Sequence, residues 1–221
     1  MNRRHLCAAL LVIASLGRVA GADFGGLALA GRIGSLGFGG ELIGNVLPDL
    51  NGRFGVTFLP LSVDGEIGDV NYDFDLKGLT FPLTLDWYPF HGGFHVSGGL
   101  IFNQTDVDLD THSTTALTIG SHTYSATELG TVRGEVRFQR IAPYVGIGWG
   151  NAFGEEGRWG ILSDFGVAFL GRPNVALSAT GSIASDSTFM GDLAQEEKDV
   201  EDDLSILRFY PVFSISLFYR F

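Results

Sequence analysis

The sequence predicts an all-β chain closed into an antiparallel transmembrane β-barrel. Eight strands are the default, ten follow if two ambiguous segments turn back, and a short helix is expected in the last long loop. Three observations carry this. Apolar and polar side chains alternate with a period of two in several segments, the signature of a strand with two unlike faces. Beyond residue 22 no apolar run approaches the roughly 20 residues that a membrane-spanning helix needs. Charged residues are only 18% of a chain holding 18 Phe and 32 Gly, which suits a sheet facing an apolar medium. In lipid the backbone polar groups must be satisfied internally, and only helices and closed barrels achieve that.

The chain starts as an export signal. Arg3 and Arg4 precede the apolar run Leu6 to Leu16, and Ala20-Gly21-Ala22 supplies a small-residue cleavage pattern, so residues 1–22 are expected to be removed and 23–221 to form one domain. Cys7, the one cysteine, lies in that segment, which leaves the exported domain without disulfide or thiol chemistry. Cleavage removes three of 14 basic residues and no acid, leaving 11 bases against 25 acids, a formal charge of −14. Such acidity excludes nucleic acid as a partner, since phosphate binding needs a basic footprint.

Segment 26–47 comes first and is ambiguous: Leu27, Leu29 and Ile33 are odd-numbered, whereas Leu36, Phe38 and Leu42 are even. A one-residue phase shift means either a β-bulge or a turn, and Gly34-Ser35 fits a two-residue hairpin turn. Strands follow near 52–63, with Phe54, Val56 and Phe58 against Arg53, Gly55 and Thr57, then near 72–87 and 93–107. In the last of these Phe94, Val96, Leu100 and Phe102 oppose His95, Ser97 and Asn103. Segment 126–150 is the second ambiguous one, its apolar phase passing from Val136 and Phe138 to Ile141, Val145 and Ile147. Strands near 142–150, 158–171, 173–185 and 205–221 complete the set, the last alternating from Phe209 to Phe221. Bulges at both ambiguous places give eight strands and turns at both give ten; an even number is expected when both termini lie on one side. Trp87, Tyr88, Phe90, Trp149, Phe153 and Trp159 are candidates for the aromatic girdles of such a barrel.

The inward faces carry the candidate functional residues. Arg133, Glu135 and Arg137, with Glu41 and Asp86 on other strands, are expected to form a charged plug that is stable only if its charges pair. An eight-stranded barrel is nearly filled by side chains, which makes it a poor channel. Residues 108–125 and 186–204 are the long polar connections, the second with six acids between Glu196 and Asp203 and the near-helical series Leu193, Val200, Leu204 and Leu207. Its acids are expected to be solvated, to bind divalent cations on lipopolysaccharide, or to sit on a helix capping the barrel mouth. Asp106, Asp108 and Asp110 form a candidate surface cation site; Thr111 and Leu117 stand where an EF-hand would need Gly and Glu. Gly146, Gly148 and Gly150 precede no helix and read as close packing in a narrow barrel, not a dinucleotide loop. No cofactor is expected, and no catalytic residue is assigned.

The terminal "SISLFYRF", with Leu217, Tyr219 and Phe221 at alternate positions, resembles the C-terminal signal by which outer-membrane β-barrels are recognised by the barrel assembly machinery. With "LDWYPFHGGFHVSGGLIFN" and "APYVGIGWGN", it makes most of the chain resemble small, largely uncharacterised Gram-negative outer-membrane barrels. The resemblance implies a monomer in the outer membrane, surrounded by membrane lipids and lipopolysaccharide, with a structural, envelope-stabilising or surface-interaction role. A narrow pore is the alternative. A second rests on His95 and Ser97, whose H-x-S spacing resembles outer-membrane lipid A deacylases; the alternation sends both side chains into the lumen, away from any lipid substrate.

Overall fold

The computed structural model describes residues 26–67, 70–113, 116–154 and 157–221, and within these the side chains other than 61–77, 106 and 108–113. The export segment 1–22 therefore lies outside the described residues. Eight antiparallel strands close on themselves: β1 (Leu27–Gly34), β2 (Gly37–Leu47), β3 (Leu50–Ile67), β4 (Val70–Trp87), β5 (Phe94–Asn103), β10 (Ile141–Trp149), β11 (Trp159–Phe169) and β13 (Phe209–Arg220). The seam runs in register from Ala28 opposite Arg220 to Gly34 opposite Ser214. Phe221 continues it, donating its N–H to the Leu27 carbonyl at 3.0 Å, so the chain's last residue is tied into the sheet.

The predicted strand number is met by a different route. The phase flip in 26–47 is a two-residue turn at Ser35 and Leu36, closed by the pair Gly34–Gly37. Across such a hairpin Ile33 faces Phe38, so an odd outward series becomes an even one without a bulge. Gly37 holds φ +97°, and an added Cβ would run into the Phe58 carbonyl, so only glycine fits. In 126–150 the chain breaks at residues 138–140 between β9 (Thr131–Arg137) and β10, and it does not reverse. The predicted barrel strand 173–185 is corrected: β12 (Asn174–Ala179) pairs with β9 and lies outside the barrel.

β3 and β4 run 18 residues each, well past the barrel, and this excess is the template on which the same sheet continues beyond it. β4 pairs with β5 over residues 80–87 and with β6 (Asp106–Ser113) over residues 70–77. β9 adds to β6 and β12 to β9, giving an extension of β3, β4, β6, β9 and β12 at the end opposite the termini. Much of the predicted loop 108–125 is thus sheet, together with the small hairpin β7 (Leu117–Ile119) and β8 (His122–Tyr124). The one-turn α1 (Ala126–Leu129) follows it.

The polarity of the barrel wall is inverted relative to a soluble protein. Ile33, Phe54, Phe58, Leu85, Val145, Ile147, Ile161, Phe165, Phe213, Ile215 and Leu217 stand exposed on the outside. Arg32, Glu41, Arg53, Asp86, His95 and Asp164 are buried inside. At the termini end Trp87, Trp149, Trp159, Tyr219 and Phe221 form an aromatic belt, with the Trp159 and Tyr219 rings 4.8 Å apart. No helix among the described residues is long and apolar enough to cross a membrane.

Candidate functional site

The lumen is built in three layers. At the termini end Ala28, Ala30, Ile43, Leu162 and Phe218 pack together with Ala152 and Phe153 from the β10–β11 turn. At the opposite end Ile101, Ala142, Tyr144, Ala168 and Val212 form a second apolar layer, backed by Leu36, Leu170 and Tyr210. Charged side chains are held between them.

Arg53 is the centre of that middle layer. Its Nε stands 2.7 Å from Asp86 Oδ2, and its Nη1 and Nη2 donate to the two Asp164 oxygens at 2.9 and 2.8 Å. This is a bidentate fork on one carboxylate and a second pairing on another, geometry that arginine's planar guanidinium allows and lysine's ammonium does not. Glu41 lies 3.8 Å from Arg53 Nη1 and accepts from Arg32 Nη1 at 3.2 Å. His95, fully buried against the Tyr88 ring, stands with Nε2 3.0 Å from Asp164. Ser97 donates to Asp86 at 2.8 Å and Ser214 to Asp164 at 3.2 Å. Three carboxylates face two arginines here, and each carboxylate has a guanidinium within 4 Å, the condition under which buried charge is tolerated. The space left among Arg32, Arg53, Thr84, Ile101 and Tyr144 has no room for a water molecule.

Small residues make the packing fit. An added Cβ on Gly148 would meet His95 Nε2, and one on Gly146 the Tyr144 hydroxyl. These alternate glycines are the gaps into which the two rings fit.

The five residues expected to form one lumen cluster are divided. Glu41 and Asp86 stand in the network. Arg133, Glu135 and Arg137 lie on β9, in the extension, where Arg137 and Glu135 pair with side chains 64% and 35% exposed. The correction follows from the break at 138–140, which puts β9 beyond the barrel. Sequence reasoning missed Arg32, the central role of Arg53, and Asp164. The available signal was a lone ionisable residue on the inward face of an otherwise apolar strand, as in "WGILSDFGVAF". His95 and Ser97 bond to different carboxylates and not to each other, which leaves no nucleophile–base pair. The side chains of Asp106 and Asp108 to Asp110 fall outside the described ones; the backbone register places Asp106 opposite Arg137 and Asp110 opposite Arg133. Among the described residues no cluster has the makings of a metal site. Leu217, Tyr219 and Phe221 line the outer face of the closing strand, with Tyr219 and Phe221 rings 5.3 Å apart.

At the loop end, α2 (Ser187–Asp203) is longer than expected and starts at Asp186, whose carboxylate accepts from the Thr188 and Phe189 N–H groups. A 3₁₀ turn, Leu204–Arg208, leads from it into β13. Phe189 and Leu193 pack on Ile119, Tyr124 and Leu129. The acids of the packing face are occupied. Asp192 accepts from the Tyr124 hydroxyl at 2.5 Å and from Ser121 at 3.2 Å, and stands 2.6 Å from His122 Nδ1. The Tyr124 hydrogen bond, with His122 behind it, holds the Asp192 carboxyl below its usual range, and the same bond pushes the Tyr124 hydroxyl up to about 12. Glu197 and Glu201, one helical turn apart, accept from the backbone N–H groups of Leu177 and Val175 at 2.8 and 3.0 Å. β12 is the free edge of the extension, and these two carboxylates cap its unpaired donors.

Comparison with known proteins adds fold and no more. No family model matches the chain, and neither does any curated protein. The crystal structure of Acinetobacter baumannii CarO2 superposes with a TM-score of 0.59 at 19% identity, covering 89% of this chain and 98% of that one. That of Acinetobacter baumannii CarO gives 0.56, also at 19%, over 88% and 97%. A major outer membrane protein of Thermus thermophilus gives 0.45 at 14%, over 89% and 98%, a likeness too loose to add to these. The chain is a closed eight-stranded antiparallel barrel and shares that fold with CarO2 and CarO.

Proposed function

We propose that this chain is an integral protein of the bacterial outer membrane with a sealed lumen, acting as a structural or surface-interaction element and not as a channel. The observation that carries the reading is the layered lumen, in which an ion-paired charge network is closed at both ends by apolar side chains. The exposed apolar wall and the aromatic belt support the membrane assignment, because water would not tolerate so much contiguous apolar surface. The basic, apolar and small-residue pattern of residues 1–22 supports export. Leu217, Tyr219 and Phe221 serve as the signal read by the assembly machinery, after which the barrel stands as a monomer among membrane lipids. The working surface is then the extension and its α2 buttress, the large part of the molecule that barrel closure does not require.

The test is refolding of the mature chain into phospholipid vesicles. Folding is read by the mobility shift of unheated samples, and permeability by swelling in small sugars and amino acids. A folded, inserted protein that leaves the vesicles impermeable is the expected result. Swelling would replace this reading with the narrow pore, and failure to insert would remove the membrane assignment itself.

A further inference from the structure

The outer wall of the barrel carries a groove that ordinary barrel packing does not explain. Leu29, Ala30, Gly31, Trp159, Leu217, Tyr219 and Phe221 line an open groove of about 490 Å³ across the β1–β13 seam, within the roughly 300–1,000 Å³ of small-ligand clefts. Register explains its shape. Trp159, Tyr219 and Leu29 stand side by side in one row nearest the termini. In the next row Leu217 is followed by Gly31 and then Gly40. Beyond them Ile33 and Phe38 close the far side. A Cβ on Gly31 would meet nothing within 4 Å, and one on Gly40 only the Ala30 carbonyl at 3.6 Å. Neither glycine is required by backbone conformation or by a neighbour. Adjacent outward glycines weaken a strand; the register runs unbroken through Gly31 and Gly40, so no bulge accounts for them, and the close approach of a ligand is a further reason for glycine in a strand.

A guanidinium stands at one end of the groove. Arg158 is exposed, and its Nη1 reaches the Tyr219 hydroxyl at 3.4 Å, which puts the guanidinium at the belt end of the groove. The Arg158 carbonyl accepts the Arg220 N–H at 2.7 Å, so its backbone is anchored, while the Arg220 guanidinium is taken up by the Gly154 and Gly157 carbonyls. An apolar trough under an aromatic belt with a guanidinium at the headgroup level is complementary to one amphiphile: an acyl chain carrying a phosphate. We infer that the seam is a binding site for a single phospholipid of the leaflet on the termini side, its chain lying over Gly31 and Gly40 and its phosphate held by Arg158. This site presupposes the membrane reading above. It also places the lipid across the pairing of the first and last strands, where it reinforces the seam.

The test uses the full mature chain, delipidated in detergent, with native mass spectrometry after addition of palmitoyl-oleoyl phosphatidylglycerol or the matching phosphate-free diacylglycerol. Wild type should retain one phospholipid. Gly31→Leu, which fills the trough from a position with free space around it, should reduce retention about tenfold or more while the unheated mobility shift shows a folded barrel. Arg158→Ala should lower phosphatidylglycerol retention about tenfold, to the level of diacylglycerol. Retention by Gly31→Leu equal to wild type would overturn the site. So would a dimer abolished by Gly31→Leu, which would make a second copy the occupant. A chain that inserts into vesicles but retains no lipid contradicts the site alone; a chain that does not insert contradicts the membrane reading with it.

Discussion

Arg53 carries the residue-scale account, because Asp86 and Asp164 both depend on it. Arg53→Met removes the cation and leaves two buried carboxylates without their partner, a change that costs about 3–5 kcal/mol at comparable sites. Asp164→Asn is expected to cost less, since Arg53 keeps Asp86 and Glu41 and the amide still accepts from Ser214. Denaturant unfolding in detergent, followed by the fluorescence of Trp87, Trp149 and Trp159, checks the order; equal midpoints for wild type and Arg53→Met would refute it. Gly148→Ala tests the packing beneath His95. Its methyl group would displace the imidazole from Asp164, with an expected loss of about 1–3 kcal/mol by overpacking. Glu41 and Asp86 were legible in the sequence as inward charges because each takes the polar place in a clean alternation. Their partners were not, since alternation fixes the face a residue points to but not which strands face one another across a lumen.

At the scale of elements, α2 and the edge of β12 are bound together by carboxylates. Removing Glu197 and Glu201 together, each to Ala, exposes the Leu177 and Val175 donors and leaves an unguarded strand edge. Hydrogen exchange at those two amides should rise at least tenfold, and the protein should show more self-association by size-exclusion chromatography. Unchanged exchange would mean that the helix does not protect the edge. The Asp192–Tyr124 pair sets the pH range of the docked helix. A carboxyl held below its usual value of about 3.9 stabilises the docked state above that value, and this is lost as pH falls through the depressed one. The Tyr124 hydroxyl, raised to about 12, contributes fully below its ordinary value of about 10, and the contribution is lost as pH rises through about 12. The contribution of this hydrogen bond should therefore be flat between about pH 4 and 10, and Asp192→Asn should loosen docking within that range. Proteolysis of α2 measures both. The helix was visible in the sequence through its spacing, but its length was underestimated, because its packing face mixes Phe189 and Leu193 with acids that read as solvent-facing.

For the whole molecule, the alternation and the absent membrane helix were enough to give closure and strand type; the default of eight strands agrees with the structure only because 26–47, counted as one strand, is two, and 173–185, counted as a barrel strand, is not one. These signals were not enough to give the extension. β9 and β12 alternate as barrel strands do, and only the break at residues 138–140 and the 18-residue lengths of β3 and β4 show that they continue the sheet beyond the barrel. The molecule is thus an eight-stranded barrel bearing a buttressed sheet, and the central proposal is that its lumen is sealed. Single-channel recording in a planar bilayer, with the folded protein inserted and an Arg53→Ala variant alongside, tests it most directly. The account predicts a silent bilayer for wild type, and discrete steps at most in the variant, whose network has lost its central side chain. Reproducible steps from the wild-type protein would contradict it.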